Sequence, residues 1–231
     1  MFIAENPHTL VSDTWGYDKL PTPLFQQIKE LSVGFFAECG WLDKADQNPM
    51  IFERSFIYLK SINSVVIIDS FAGQKETEIT STYNLAPSIN CQKEAHRFAL
   101  TTNKHKYTLL FAGGQTQQSV AKGSEIYNQL NEHPRLSNKF CYKTGKEIQA
   151  TVISPLEDIQ ITPIKVSQTG ENEQFCQAKG FRIIAGSEKF DLFVMREDIV
   201  KGNKLLVSEY GQFFYGRLVL IDQKEAKIRI K

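Results

Sequence analysis

IFERSFIYLKSINSVVIIDSFAGQKETEITSTYNLAP, residues 51–87, decides the reading of this chain. Its apolar residues alternate with polar ones or run in short stretches bounded by turn residues, the pattern of strands rather than of a helix. Ser61-Ile62-Asn63-Ser64 joins two apolar runs, and Phe71-Ala72-Gly73-Gln74 follows Asp69. Residues 51–86 therefore predict a three-strand antiparallel meander.

The same period extends outward. Beyond the meander strands 51–60, 64–69 and 76–85, candidate strands cover residues 9–12, 97–101, 107–111, 147–153, 159–166, 181–185, 190–195, 204–208, 213–221 and 226–230. Gly-rich punctuation at Gly113-Gly114, Gly186 and Gly202 separates several of them. Pro155 ends the run Ala150-Thr151-Val152-Ile153-Ser154 and marks a change of sheet. One helix is expected, because Thr22-Pro23 supplies a cap and a first-turn proline before Leu24, Ile28 and Leu31 at helical spacing. It sits in a polar and aromatic excursion, residues 13–50. The fold class that follows is all-β, a large antiparallel β-sandwich of stacked sheets with one short helix, in a single domain over residues 1–231.

Composition narrows the function classes. With 27 Lys and Arg against 26 Asp and Glu, a net charge of +1 gives no general reason to bind nucleic acid or an acidic membrane. No apolar run approaches the roughly 20 residues of a membrane helix, and residues 1–10 carry no export signal. Cys39, Cys91, Cys141 and Cys176 are too scattered for a CxxC site and read as plain thiols. His96, His105 and His133 lie among polar residues and read as solvated loop positions. Asp69 reads as a strand-end residue capping the next turn.

Five segments, taken in order, carry a resemblance: Asn6-Pro7-His8-Thr9-Leu10-Val11-Ser12-Asp13, Arg54-Ser55-Phe56-Ile57-Tyr58-Leu59-Lys60, Val65-Val66-Ile67-Ile68-Asp69-Ser70-Phe71, Tyr83-Asn84-Leu85-Ala86-Pro87 and Ala150-Thr151-Val152-Ile153-Ser154-Pro155. Together they resemble the C-terminal β-sandwich of the heparinase II/III family of polysaccharide lyases, with its HNT-type segment, Arg-led strand, VVVD strand and HLAP strand. The resemblance implies a β-elimination on a uronic-acid-containing polysaccharide such as a glycosaminoglycan. It also implies a helical toroid domain of the same protein as partner, absent from this chain, so that this lobe alone is expected to be inactive. A base must take the C5 proton of the uronate and an acid must protonate the leaving oxygen. In the family the toroid supplies a Tyr and an Asn or His, and the sandwich lends a His.

The residues that match are His8 as the catalytic candidate and Arg54, Asn84 and Trp15 as substrate-binding candidates. Aligned on Thr9, the family's His position holds Pro7, and His8 stands where Asn is usual. His8 also reads simply as a partly exposed histidine at a strand start. Arg54 heads an apolar strand, where an arginine must be paired or face a groove. Trp15 and Trp41 suit either sugar stacking or the core. Some family members hold zinc through His and Asp, but Asn84 replaces the HLAP histidine, so no metal or cofactor is expected. The partners expected are an acidic polysaccharide and the helical domain, with no nucleic acid and no membrane. The resemblance implies a periplasmic or extracellular setting. The reading from a different class is a non-catalytic carbohydrate-binding or structural β-sandwich.

Overall fold

A computed structural model describes residues 22–43, 49–95, 97–126, 129–142, 145–171, 173–175, 177–196, 205–222 and 228–229. It is 73% strand, which meets the all-β expectation. The largest sheet holds eight antiparallel strands: β1 (Thr22–Leu31), β2 (Gly34–Asp43), β3 (Met50–Leu59), β4 (Ser64–Gly73), β6 (Asn90–Glu94), β7 (Arg97–Thr101), β8 (Lys106–Phe111) and β11 (Gly145–Ser154). Their spatial order is β1-β2-β3-β4-β11-β8-β7-β6. A three-stranded sheet contains β5 (Thr77–Asn84), β9 (Gln115–Ile126) and β10 (Gln129–Tyr142), with β10 in the middle. Five strands form the next sheet, in the order β12 (Gln160–Ile164), β14 (Ala178–Ala185), β15 (Glu188–Met195), β18 (Leu218–Asp222) and β19 (Ile228–Arg229). The last and smallest sheet joins β13 (Val166–Gln168), β16 (Leu206–Ser208) and β17 (Phe213–Phe214).

Period-2 alternation stacks these sheets in four layers. Ile57, Leu59, Val66, Ile68, Ile148, Ala150 and Val152 point from one face of the eight-stranded sheet and pack on Phe181, Ile183, Phe190, Leu192, Val194, Leu218 and Leu220 of the five-stranded sheet. From the opposite face, Phe71, Phe98, Leu109 and Phe111 meet Ile79, Leu136 and Tyr142 of the three-stranded sheet. The outer face of the five-stranded sheet presents Phe193 and Val219 to Val166, Leu206 and Phe214 of the smallest one.

The structure corrects two of the expected elements. Residues 22–31 form β1, not a helix, and the described residues contain only the 3-10 turn Lys60–Ile62. A ten-residue helix is marginal by itself. Here the ladder to β2, closed by Ser32-Val33, gains backbone hydrogen bonds along the strand and puts Phe25, Gln27 and Leu31 on the sandwich side. Pro23 is tolerated because β1 is an edge strand. The meander also breaks: β3 and β4 pair as expected, but β5 crosses to the other sheet and pairs with β10. Apolar side chains on both faces of β4 require a second layer, and β5 starts it.

Local chemistry places the crossings. Asn63, at φ 49°, closes the β3–β4 hairpin. Gly113 and Gly114, at φ 104° and 85°, let the chain leave β8 and enter β9 in another sheet. Pro155 ends β11 and the chain moves to β12 in the five-stranded sheet, as its sequence indicates. Asp69 lies inside β4 rather than at its end, because the strand runs on to Gly73. His133 is buried within β10 against Gly123, which has no side chain to displace the ring, whereas His105 is exposed as expected. His96 lies outside the described residues, as do Cys176 and the candidate strand 9–12; Cys39 and Cys91 are free thiols, and the Cys141 thiol donates to Glu76 at 3.0 Å.

One buried polar cluster bridges the two large sheets. Arg196, at the end of β15, donates through Nη1 to Glu38 (2.7 Å), through Nη2 to Ser55 (3.1 Å) and through Nε to Ser70 (2.8 Å). Glu53 lies 3.1 Å from its Nε and also accepts from Arg217 (2.9 Å). Burial would push the Glu38 carboxyl up, but Arg196, Gln27 and Ser55 outweigh it and hold it below the ordinary carboxylate range. Arg196→Met should cost about 3 kcal/mol in denaturant unfolding, since the buried Glu38 carboxylate loses its cation. A depressed carboxyl stabilises the fold fully above its unfolded value, 4.5 for Glu38, and loses that contribution as pH falls through the lower folded value. Unfolding free energy should therefore drop in acid below about pH 4.5, and Glu38→Gln should flatten that decline.

Candidate functional site

The eight-stranded sheet is wider than the three-stranded sheet packed on it. That difference leaves a flank between the β1 edge and β5. Register defines its surface in transverse rows: Gln26, Cys39, Arg54 and Asp69 form one, Ile28, Ala37, Phe56 and Ile67 the next, and Glu30, Phe35, Tyr58 and Val65 the third. Ile28 is 71% exposed and Phe35 44%, while Ala37, Phe56, Tyr58 and Val65 are half-buried. Where the flank meets β5 there is an inside corner. Ser81 of β5 stands 3.5 Å from the Asp69 carboxylate, and Tyr83 is an electrostatic neighbour of Asp69 and Arg54.

Arg54 and Asp69 form the corner's base through a two-point ion pair, Nε to Oδ1 at 2.5 Å and Nη2 to Oδ2 at 2.8 Å. Burial alone would favour a neutral guanidine, but the facing carboxylate wins and raises the Arg54 pKa further above its ordinary value. Tyr83 is pushed up by burial and then by the Asp69 charge, so its phenol stays protonated. Burial also raises the Cys39 thiol, which argues against a reactive thiolate. Among the described residues, no three His, Cys, Asp or Glu side chains converge as metal ligands.

The structure separates the site candidates. Arg54 lies in the corner, beneath the inward-facing residues Ser81 and Tyr83. Asn84 follows Tyr83 and is exposed on the opposite side of β5, where its Oδ1 accepts from Arg135 at 2.8 Å. The two therefore do not share a face. His8 and Trp15 lie outside the described residues. Asp69, Tyr83 and Arg135 were missed as members. A signal for Asp69 existed: the hairpin closes on Leu59 opposite Ser64, and five further steps along each strand reach Arg54 and Asp69. Arg135 had no such local signal, because β10 reaches β5 from 51 residues away.

Fold and site together define a multilayered antiparallel β-lobe. The heparinase II/III-like C-terminal family matches residues 1–197, and the chain belongs to that family. Among solved structures it is similar to the heparan sulfate lyase HepC from Pedobacter heparinus, with TM-score 0.56 and 13% identity over 76% of this chain and 28% of that one. The heparinase III BT4657 gene product gives TM-score 0.53 and 14% identity, again over 76% and 28%. A further heparinase III gives 0.54 and 11%, over 76% and 27%. This chain thus spans little more than a quarter of those proteins. No curated protein sequence matches it.

The corner makes a stability test of Arg54. Arg54→Ala should lower the unfolding free energy by about 3 kcal/mol, because Asp69 is left buried and unpaired. An arginine facing only a ligand would change stability by under about 0.5 kcal/mol in the same denaturant titration.

Proposed function

We propose that this chain is the β-sheet lobe of a polysaccharide lyase that cleaves uronic-acid-containing polysaccharide by β-elimination, working with a helical toroid domain of the same protein. The observation that carries this reading is the family match over residues 1–197. The reaction removes the C5 proton, forms a C4–C5 double bond and expels the C4 oxygen, which takes up a proton. The C5 proton becomes removable when positive charge or hydrogen bonds neutralise the adjacent carboxylate. Residues of the helical domain and His8, this lobe's contribution, share the proton transfers. Asn84 with Arg135 is an exposed pair suited to a uronate carboxylate. Trp15 offers a stacking ring, and Arg54 acts mainly by holding Asp69 and the corner in place. The polymer lies between the flank of the eight-stranded sheet and the helical domain.

A second reading, a non-catalytic carbohydrate-binding or structural lobe, is favoured by one observation: the Arg54 guanidinium is committed to Asp69 rather than offered to a ligand. Activity separates the two. The isolated chain should give no rise in the ultraviolet absorbance of the unsaturated product on heparan sulfate, heparin, chondroitin or alginate. Joined to a helical toroid domain it should give a steady rise, reduced at least about 100-fold by His8→Ala. Elimination by the isolated chain would overturn the dependence on a second domain, and none by the joined protein would establish the non-catalytic reading.

A further inference from the structure

The smallest sheet carries an aromatic surface beyond the residues of the family match. Glu209-Tyr210-Gly211-Gln212-Phe213-Phe214-Tyr215-Gly216 turns from β16 into β17. Phe214 is buried against Phe193, with ring centroids 4.3 Å apart, and alternation sends Phe213 and Tyr215 outward. Val207 faces Phe213 across the ladder, and Leu205 lies on the same side. Tyr210, Phe213 and Tyr215 are 54%, 56% and 42% exposed.

These rings are held rather than loose. The Arg182 guanidinium lies 3.6 Å from the centre of the Tyr210 ring, under one of its faces. Arg182 is fixed in turn by two hydrogen bonds to Asp191, at 2.7 and 2.8 Å, and Gln212 donates to the same carboxylate at 2.6 Å. Ser208 Oγ accepts from the backbone N–H groups of Tyr210 and Gln212, and Gly211 takes φ 77° to close the turn. Tyr210 therefore lies flat, one face on a cation and the other toward solvent. Burial opposes ionisation of Asp191, but Arg182 and Gln212 outweigh it and keep its carboxyl below the ordinary range, so this support persists at neutral pH.

We propose that Tyr210, Phe213 and Tyr215 form a carbohydrate platform, separate from the corner at Arg54, on which pyranose rings of the same acidic polysaccharide stack. The occupant is argued from the shape and chemistry of the surface. A pyranose presents a flat C–H face that matches an aromatic ring lying flat, whereas a protein hot spot inserts its rings into a pocket. The guanidinium behind Tyr210, itself neutralised by Asp191, holds that ring flat at the surface and leaves its outer face open to a sugar. Two phenolic hydroxyls at the surface provide hydrogen bonds to sugar hydroxyls. The proposal rests on the polysaccharide reading for its ligand but not on catalysis, so the platform binds polymer whether or not elimination occurs.

The test is binding by the full chain, measured as retardation in native gels cast with heparan sulfate or alginate and as titration calorimetry with oligosaccharides of each. Wild-type chain should be retarded by at least one of them. Phe213→Ser with Tyr215→Ser, whose side chains point away from the core, should weaken binding roughly tenfold with an unchanged circular dichroism spectrum. Tyr210→Ala should weaken it similarly, while Val120→Ser, an exposed side chain of β9, should leave binding unchanged. No retardation of the wild type, or equal retardation of the variants, would overturn the proposal. So would a concentration-dependent dimer that the double variant abolishes, since the surface would then belong to a second copy. Elimination is read separately by product absorbance, so loss of the lyase reading and loss of the platform are distinguishable.

Discussion

Strand β4 is covered on both faces, and from Ser64 to Phe71 all but Val65 are buried. Covering both faces of a strand calls for apolar side chains in both directions, and Val66, Ile67 and Ile68 supply them. Apart from Ser64, which meets Ser154 at the hairpin end, the exceptions are Asp69 and Ser70, adjacent residues that face opposite layers. Each is met by an arginine: Arg54 binds Asp69 on the side of the three-stranded sheet, and Arg196 binds Ser70, Ser55 and Glu38 on the side of the five-stranded sheet. Buried polar groups without such partners are costly. The five-stranded layer is therefore tied to the eight-stranded sheet by Arg196, while Arg54 and Asp69, both of the eight-stranded sheet, satisfy each other beneath the three-stranded layer.

The two clusters have different consequences. Arg196 arrives from β15, 158 residues away from Glu38 in sequence, and joins two layers, so its loss loosens the stack. Arg54 comes from the neighbouring strand of the same sheet, and its pairing forms the floor of a corner whose wall is β5. Ser81 and Tyr83 line that wall because alternation turns them inward, and the same alternation turns Asn84 out toward Arg135. A shift of one residue in β5 would exchange these roles, so the corner depends on the β5–β10 register, in which Arg135 pairs with Asn84. The apolar rows of the flank, from Ile28 to Ile67, extend from this corner toward the edge strand as a broad surface beside a polar one.

The amino-acid sequence by itself determined the all-β class, the β3–β4 and β14–β15 hairpins, and the sheet change at Pro155, because period-2 alternation and turn residues act over a few neighbours. It also carried the family resemblance, in the order of five short segments. It misread β1, where Leu24, Ile28 and Leu31 fit helical spacing as well as a strand on an edge, and it overlooked β9 and β10, whose Gln, Ser, Lys and Asn residues hide the period. Those strands are stabilised by ladders to partners rather than by their own apolar pattern. The crossing of β5, the burial of His133, the commitment of Arg54 to Asp69 and the meeting of Arg196 with Glu38 were decided only by the tertiary structure. Each depends on which distant strand lies alongside or above, and that choice is made by burying the second face of the eight-stranded sheet, a requirement set by the whole chain.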